Sequence, residues 1–188
     1  MIGVSKMYSE IIDLLGIEDF KIVNPYNSDC NCEYILISKG YFDKVRKLNP
    51  DSKIIEINSA TFLDLIESLE KLKTENIGNI DIINQSIENL KKLDFKIKKD
   101  NFEFVKNFEC NIDSDSKFIK KILDDLGFEH KNGSTIKIIP DYKLKEDLDL
   151  NDIIILKTHR YDLKLVERIE NRYMSILNSL NNIILGKT

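Results

Sequence analysis

The chain has 188 residues, of which 42% are hydrophobic, and carries a formal net charge of −4 with a pI of about 5.4. These values predict one domain or two small lobes with a buried core, and they exclude wholesale disorder and general nucleic-acid binding. No apolar run approaches the roughly 20 residues of a membrane span. Three cysteines and an N-terminus without signal-peptide features predict a cytoplasmic location.

The first half of the chain alternates between short apolar runs and amphipathic segments, which predicts alternating strands and helices. Ser5 is the expected N-cap of the first helix and Gly16 its C-cap. Asn58 or Ser59 is the expected cap of the helix that carries Phe62, Leu65 and Leu69. The predicted elements are helix 5–15, strand 20–23, strand 34–37, helix 41–48, strand 53–57 and a helix reaching residue 72.

The second half repeats this alternation after a helix over 80–93. Residues 94–111 alternate phenylalanines with lysines and acids, which predicts a strand or an extended crossing. The apolar run that starts at Asp152 predicts a strand buried on both faces. The remaining elements are helix 114–126 capped by Ser114 or Asp115, strand 135–139, helix 162–180 with Arg168 and Arg172 facing outward, and strand 183–185.

Polar turns follow two of these predicted strands, at the position where α/β proteins usually bind ligands. Thr158, His159 and Arg160 follow the strand that starts at Asp152, and Lys39 follows the strand over 34–37. A helix N-terminus would keep His159 neutral, as a general base or hydrogen-bond donor, and Arg160 would clamp a carboxylate or phosphate. In the structural alternative, Thr158 is a helix cap and Arg160 pairs with Asp162 or Glu129.

Two cysteines lie close together in a polar loop, beside Asp29. Cys30 and Cys32 are candidate ligands for zinc, iron or copper, with Cys110 or His130 completing the set. The chain has no second pair at the spacing of a zinc ribbon. The alternative interpretation is that both are ordinary cysteines of the loop and core.

Several segments resemble the class III substrate-binding proteins, the receptors for cobalamin, haem and ferric siderophores. The resemblance covers the opening helix, an apolar strand and the helices on either side of 74–79, and it continues in the second half; its segments are 8–19, 33–37, 61–93, 116–127, 148–157 and 174–186. It implies an α/β fold of two Rossmann-like lobes with mainly parallel sheets, a connecting helix, and a ligand between the lobes. The expected divisions are 1–76, 77–111 and 112–188.

The chain departs from that family because it is shorter and has no export signal or lipidation cysteine. Related architecture in nitrogenase-like proteins favours the handling of a metal or tetrapyrrole cofactor. The leading hypothesis is therefore a cytoplasmic protein that binds an anionic small molecule, such as a metal chelate or a tetrapyrrole-type cofactor or precursor. Its donors would be Lys39, Thr158, His159 and Arg160, and its walls Tyr26, Asn27, Asn58 and Tyr142.

Two other functions remain open. The first is a cofactor-biosynthesis enzyme of the transferase class that uses the same cleft, with His159 as acid and base. The second is an interaction module that forms a homodimer through the helix over 161–180, with Tyr173 and Met174 on its face. The absence of Gly-x-Gly-x-x-Gly, Walker and Gly-x-Ser-x-Gly patterns argues against nucleotide binding and serine hydrolysis.

Overall fold

The structure, a computed structural model, describes residues 1–129, 135–144, 153–158, 160 and 162–186. The chain is an α/β protein with two parallel sheets, as the sequence predicts. It divides into two compact units, Met1–Leu93 and Asp94–Thr188. Within the described ranges, no helix is both long enough and apolar enough to cross a bilayer.

The N-terminal unit is built on four parallel strands, β1 Ile2–Ser5, β2 Phe20–Val23, β3 Tyr34–Ser38 and β4 Lys53–Ile57. Their order in the sheet is β2-β1-β3-β4, so β2 lies on one side of β1 and the next two strands lie on the other. The order in which the chain adds strands therefore reverses between the adjacent strands β1 and β3. In open α/β sheets, this reversal is the position of the ligand crevice.

Four helices accompany this sheet: α1 Ile11–Leu15, α2 Phe42–Leu48, α3 Phe62–Thr74 and the first part of α4 Ile80–Asp100. The segment between β2 and β3 contains no helix. Its Cys30 and Cys32 side chains instead pack with Ile35, Ile37 and Val45 in one buried cluster. Two cysteines thus contribute apolar contacts where a helix would otherwise cover the sheet.

The predicted helix over 5–15 is wrong at its start. Residues Ile2–Ser5 form β1, a 3₁₀ turn follows over Lys6–Tyr8, and α1 begins only at Ile11. β1 pairs with β2 on one side and with β3 on the other, so its backbone groups are satisfied by long-range partners. A four-residue strand that contains a glycine has little local propensity, and tertiary pairing decides its conformation.

The predicted cap of α3 is also displaced. Thr61, rather than Asn58 or Ser59, is the N-cap, and it forms a capping box with Asp64. The Asp64 backbone nitrogen donates to Thr61 Oγ1 at 3.1 Å, and the Thr61 nitrogen donates to the Asp64 carboxylate at 3.3 Å. This reciprocal pair satisfies two of the backbone N–H groups that a helix start leaves open.

The C-terminal unit has three parallel strands in the order β5-β6-β7. A 3₁₀ turn, Asp141–Lys143, follows the second strand. The elements after α4 are α5 Phe102–Lys106, β5 Asn111–Asp113, α6 Lys117–Leu126, β6 Thr135–Pro140, β7 Ile153–Leu156 and α7 Leu165–Gly186.

Three predicted elements of this unit are wrong in type or boundary. Residues 94–111 are mostly helical, because α4 continues to Asp100 and α5 follows after one residue. Residues 183–185 continue α7 instead of forming a strand. The N-cap of α6 is Ser116, instead of the predicted Ser114 or Asp115. Short apolar runs do not distinguish a strand from a buried helix segment, which explains the error over 183–185.

The strand β7 is not buried on both faces, as its apolar run predicts. It is the outer strand of its sheet, and Ile155 keeps 39% of its surface exposed. Arg168 and Arg172 are likewise buried on α7 instead of facing outward. Arg172 lies over the Phe118 ring at 5.1 Å, and its Nε donates to the Arg168 carbonyl oxygen. The long aliphatic stems of arginines allow such burial beside apolar residues.

A polar network joins three helices of this unit. Lys98 Nζ on α4 lies 3.0 Å from carboxylate oxygens of both Asp94 and Asp125. The fully buried Tyr173 on α7 donates its hydroxyl to the same oxygen of Asp125. Burial raises the pKa of Asp94, whereas the hydrogen bond from Lys98 lowers it. The network therefore fixes α4, α6 and α7 to one another through shared partners.

Candidate functional site

The carboxyl end of the N-terminal sheet carries a group of hydroxyl side chains at the reversal of strand order. We call Ser5, Tyr8, Tyr26 and Ser59 the hydroxyl cluster. Ser5 ends β1 and is only 4% exposed, and its Oγ makes no hydrogen bond within the described residues. A buried hydroxyl without a partner costs roughly 1–3 kcal/mol, so its retention requires an explanation.

Tyr26 reaches this edge from the loop between β2 and β3. Its hydroxyl accepts a hydrogen bond from the Ser38 backbone N–H at 3.4 Å. Burial raises the pKa of Tyr26, and this effect outweighs the lowering by the Ser38 N–H and by the Ser5 hydroxyl, which lies close to the phenol without reaching hydrogen-bond geometry. The phenol therefore stays protonated and keeps a proton that it can donate at this edge.

Two further contacts hold the cluster in position. The Tyr8 hydroxyl lies 3.0 Å from Ser59 Oγ, which joins the turn after β1 to the turn after β4. The rings of Tyr26 and Tyr41 meet edge to face, with centroids 5.2 Å apart and planes at 69°. The cluster therefore draws on the segments that follow β1, β2 and β4, and its tyrosines are held by contacts within the unit.

The turn after β3, which contains Lys39, differs from the predicted anion site. The backbone N–H groups of Gly40, Tyr41 and Phe42 all donate to Oε1 of Glu56, at 2.7, 3.2 and 3.2 Å. A carboxylate of the chain itself thus occupies the amides that a ligand anion would use. The Lys39 ammonium makes no ion pair among the described residues and is the available positive charge on this turn.

The other predicted wall residues of this unit have different environments. Asn58 is fixed by the chain, because its Nδ2 donates to Asp64 at 2.5 Å and its backbone N–H donates to Ser68 Oγ at 3.0 Å. Asn27 lies exposed in the loop, and its backbone N–H donates to the Asn24 carbonyl oxygen. The structure brings Tyr26, Lys39 and Asn58 to one edge of the sheet and leaves Asn27 on the loop surface.

Cys30 and Cys32 are both buried, and their thiols donate to the backbone carbonyls of Ser28 and Cys30 at 3.6 and 3.3 Å. Burial raises the pKa of Cys30, as do nearby Cys32 and Asp29. Within the part of the chain that the structure describes, no three histidine, cysteine or acidic side chains converge as a metal site. His130, a predicted partner of these thiols, lies outside the described residues.

In the C-terminal unit, the residues of the predicted basic turn bind acids of the chain. Thr158 donates its hydroxyl and backbone N–H to Asp141 Oδ1, at 2.8 and 3.2 Å. Arg160 forms a bidentate pair with Asp162, with Nη2 2.6 Å from Oδ2. The hydrogen bond from Arg160 lowers the pKa of Asp162 to about 2. These contacts match the structural alternative for Arg160.

Three other predictions concern this unit. Tyr142 lies exposed on the 3₁₀ turn after β6. His159 lies outside the described residues, so its predicted catalytic role stays a prediction. On α7, Tyr173 is fully buried in its own unit, so it is not available as the centre of a dimer face.

Sequence reasoning missed Ser5, Tyr8 and Ser59 as site residues. The sequence predicts Ser5 and Ser59 as helix caps, which is the commoner use of serine in such positions. A hydroxyl residue directly after a short β-branched run was the available signal. This signal identifies Ser5 only if Ile2–Ser5 is a strand, and the sequence predicts a helix there.

Comparison with known proteins assigns the chain to a family. Residues 3–94 match the MJ0786 family N-terminal domain, and residues 108–184 match the MJ0786 family C-terminal domain. The chain belongs to the MJ0786 family. It is 49% identical over 183 residues to protein MJ0786 of Methanocaldococcus jannaschii, covering 97% of this chain and 95% of that protein.

Solved structures extend the comparison of this MJ0786 family member at the level of the fold. The laminin-binding protein Lbp of Streptococcus pyogenes has a TM-score of 0.59 at 9% identity, covering 95% of this chain and 98% of its own. The substrate-binding protein FpvC of Pseudomonas aeruginosa, solved with Mn²⁺, has a TM-score of 0.58 at 9% identity and the same coverage. The resemblance to substrate-binding proteins is thereby confirmed for the fold.

Proposed function

We propose that this member of the MJ0786 family binds a small anionic molecule at the hydroxyl cluster. The observation that carries the proposal is Ser5, whose buried Oγ has no hydrogen-bond partner within the described residues at the reversal of strand order. A ligand oxygen that bonds to Ser5 would remove the cost of that buried hydroxyl. The binding-protein fold supports the same class of function.

The chemistry of the edge favours a negatively charged ligand. Tyr26 and Ser5 can each donate a hydroxyl proton, and Lys39 adds a positive charge on the turn after β3. Two carboxylates at this edge, those of Glu56 and Asp64, are already bound by groups of the chain. Charged acceptors form stronger hydrogen bonds with such donors than neutral ones do. A metal chelate or a tetrapyrrole-type cofactor with acidic side groups belongs to this class.

Native mass spectrometry of the full chain, purified under non-denaturing conditions from the cells that naturally express it, tests the proposal. We expect a bound small molecule on the wild-type chain. In the double variant Ser5→Ala/Tyr26→Phe, the bound fraction should fall at least about tenfold, because two hydroxyl contacts to a charged group are lost.

The matched control is Ser28→Ala/Tyr34→Phe, which removes the same two hydroxyl types in the same unit but away from the cluster. This control should retain the ligand. Equal ligand content in both double variants would place binding elsewhere and overturn the proposal. Loss in both would indicate a general destabilisation, which a thermal melt of each variant identifies.

A further inference from the structure

Aromatic side chains border the hydroxyl cluster on the turn after β3. Tyr41 is 48% exposed, although its ring also packs edge to face against Tyr26. The neighbouring Phe42 is exposed as well, and the Arg46 guanidinium lies 5.3 Å from its ring centre. An aromatic ring held on one side and open to solvent on the other is available for contact with a ligand.

The position of Tyr41 is fixed in advance by its backbone. Its N–H donates to Glu56 Oε1 at 3.2 Å, in line with the N–H groups of the residues on either side. Gly40, just before it, has a φ of 93° and open space where a Cβ would point. Because Glu56 already holds the backbone of this turn, little backbone ordering is needed when a ligand binds there.

The charges around this ring favour an acidic group on the ligand. Lys39 lies two residues before Tyr41 on the same turn, and the nearby carboxylate of Glu56 is held by three backbone amides. Since these amides are already satisfied, recognition of an anion falls to the side chains of Lys39, Ser5 and Tyr26. The edge thus combines hydroxyl donors, the Lys39 ammonium and an open aromatic face.

We infer that the ligand of the hydroxyl cluster is a planar aromatic molecule that carries an oxyanion. Its acidic oxygens meet Ser5, Tyr26 and Lys39, and its ring packs against Tyr41. Aromatic contacts of this kind favour offset or edge-to-face geometry and add affinity beyond the area they bury. This inference rests on the proposed function and specifies the class of ligand.

The test uses three monoanionic carboxylate probes, titrated into the full chain and followed by ¹H–¹⁵N NMR. Benzoate carries a planar ring, cyclohexanecarboxylate has a ring of similar size without aromatic character, and acetate has no ring. We expect benzoate to shift the Ser5 and Ser38 amides and to bind roughly three- to tenfold more tightly than cyclohexanecarboxylate. Tyr41→Leu should abolish this preference, and Tyr41→Phe should retain it.

The outcomes separate the inference from the proposed function. Equal binding of both cyclic probes, with both weakened by Ser5→Ala, would overturn the aromatic class and leave an anion site in place. A preference for benzoate that survives Tyr41→Leu would also overturn it. Failure of every probe to shift the Ser5 or Ser38 amide would overturn the inference. The proposed function would then be tested separately, by the loss of the native ligand from Ser5→Ala/Tyr26→Phe in native mass spectrometry.

Discussion

The Glu56 carboxylate lies 2.7 Å from the backbone nitrogen of Gly40, and the same oxygen accepts two further N–H groups of that turn. The sequence predicts a ligand anion at this position, but the chain provides the anion itself. Thr158 and Asp141 repeat the arrangement after β7. In each unit, a carboxylate at the end of a neighbouring strand accepts hydrogen bonds from backbone N–H groups of the turn. Those N–H groups are therefore not open to a ligand anion.

Removal of this carboxylate should loosen the turn after β3. We expect Glu56→Ala to lower the free energy of unfolding by about 1–3 kcal/mol, because three N–H groups lose a charged acceptor. Urea denaturation of the purified chain measures the change. The control is Glu67→Ala on the exposed face of α3, which should change stability by less than about 0.5 kcal/mol. Equal stability of the two variants would contradict the structural role of Glu56.

Gly3 is required for the packing of Cys32 against β1. A Cβ on Gly3 would lie 2.9 Å from Cys32 Sγ and 3.1 Å from Val23 Cγ2, so Gly3→Ala should destabilise the chain by about 1–3 kcal/mol. Cys32→Ala removes the sulfur, and the double variant should be less destabilised than the sum of the two single variants. Gly186→Ala, in open space, is the control. Strict additivity would show that the two side chains do not compete for this space.

Asn49 holds the cysteine loop closed. Its Oδ1 accepts the Cys30 N–H at 2.8 Å, and its Nδ2 lies within hydrogen-bond distance of the carbonyls of Val45 and Pro25. We expect Asn49→Ala to cost about 2–3 kcal/mol. It should also turn Cys30 and Cys32 from slow to fast reaction with a thiol reagent in the native buffer.

The third cysteine provides an internal control for that measurement. Cys110 is partly exposed and should react at the same rate in the wild-type chain and the variant. Fast reaction of all three thiols in the wild-type chain would contradict the buried positions of Cys30 and Cys32.

Much of the fold follows from local sequence patterns. The strand over Lys53–Ile57 coincides with its β-branched run, and Gly16 and Gly127 end helices in the left-handed conformation that favours glycine. β1 was not predictable in this way, because its conformation depends on partners 18 and 32 residues away along the chain. The extension of α4 from Leu93 to Asp100 involves contacts between helices, such as that of Lys98 with Asp125, that a single-sequence pattern does not contain.

The site was only partly predictable for a related reason. Polar residues after predicted strands indicate which turns meet at the sheet edge, and Tyr26, Lys39 and Asn58 do lie at that edge. Which groups remain open depends on pairings between distant residues, such as Glu56 with Gly40 and Asn58 with Asp64. Such pairings cannot be derived from spacing along the chain.

The pair between Arg160 and Asp162 should be visible in a titration. The hydrogen bond from Arg160 holds the pKa of Asp162 at about 2, below its ordinary value of 3.8. Arg160→Ala should return the pKa toward 3.8, as followed by NMR of the side-chain carboxyl carbon. Because the folded pKa is lowered, the stabilisation is present above pH 3.8 and is lost as the pH falls toward 2. An unchanged Asp162 titration in the variant would contradict the pairing.

The most direct test of the proposed site is a ¹H–¹⁵N NMR titration of ligand-free chain with the molecule recovered from the native protein. We expect shifts at the amides of Ser5, Tyr26 and Ser38, because these residues meet at the carboxyl end of β1 and β3. In Ser5→Ala, the same titration should require at least about tenfold more ligand. Shifts confined to the C-terminal unit, for example at Thr158, with unchanged affinity in Ser5→Ala, would contradict the proposed site.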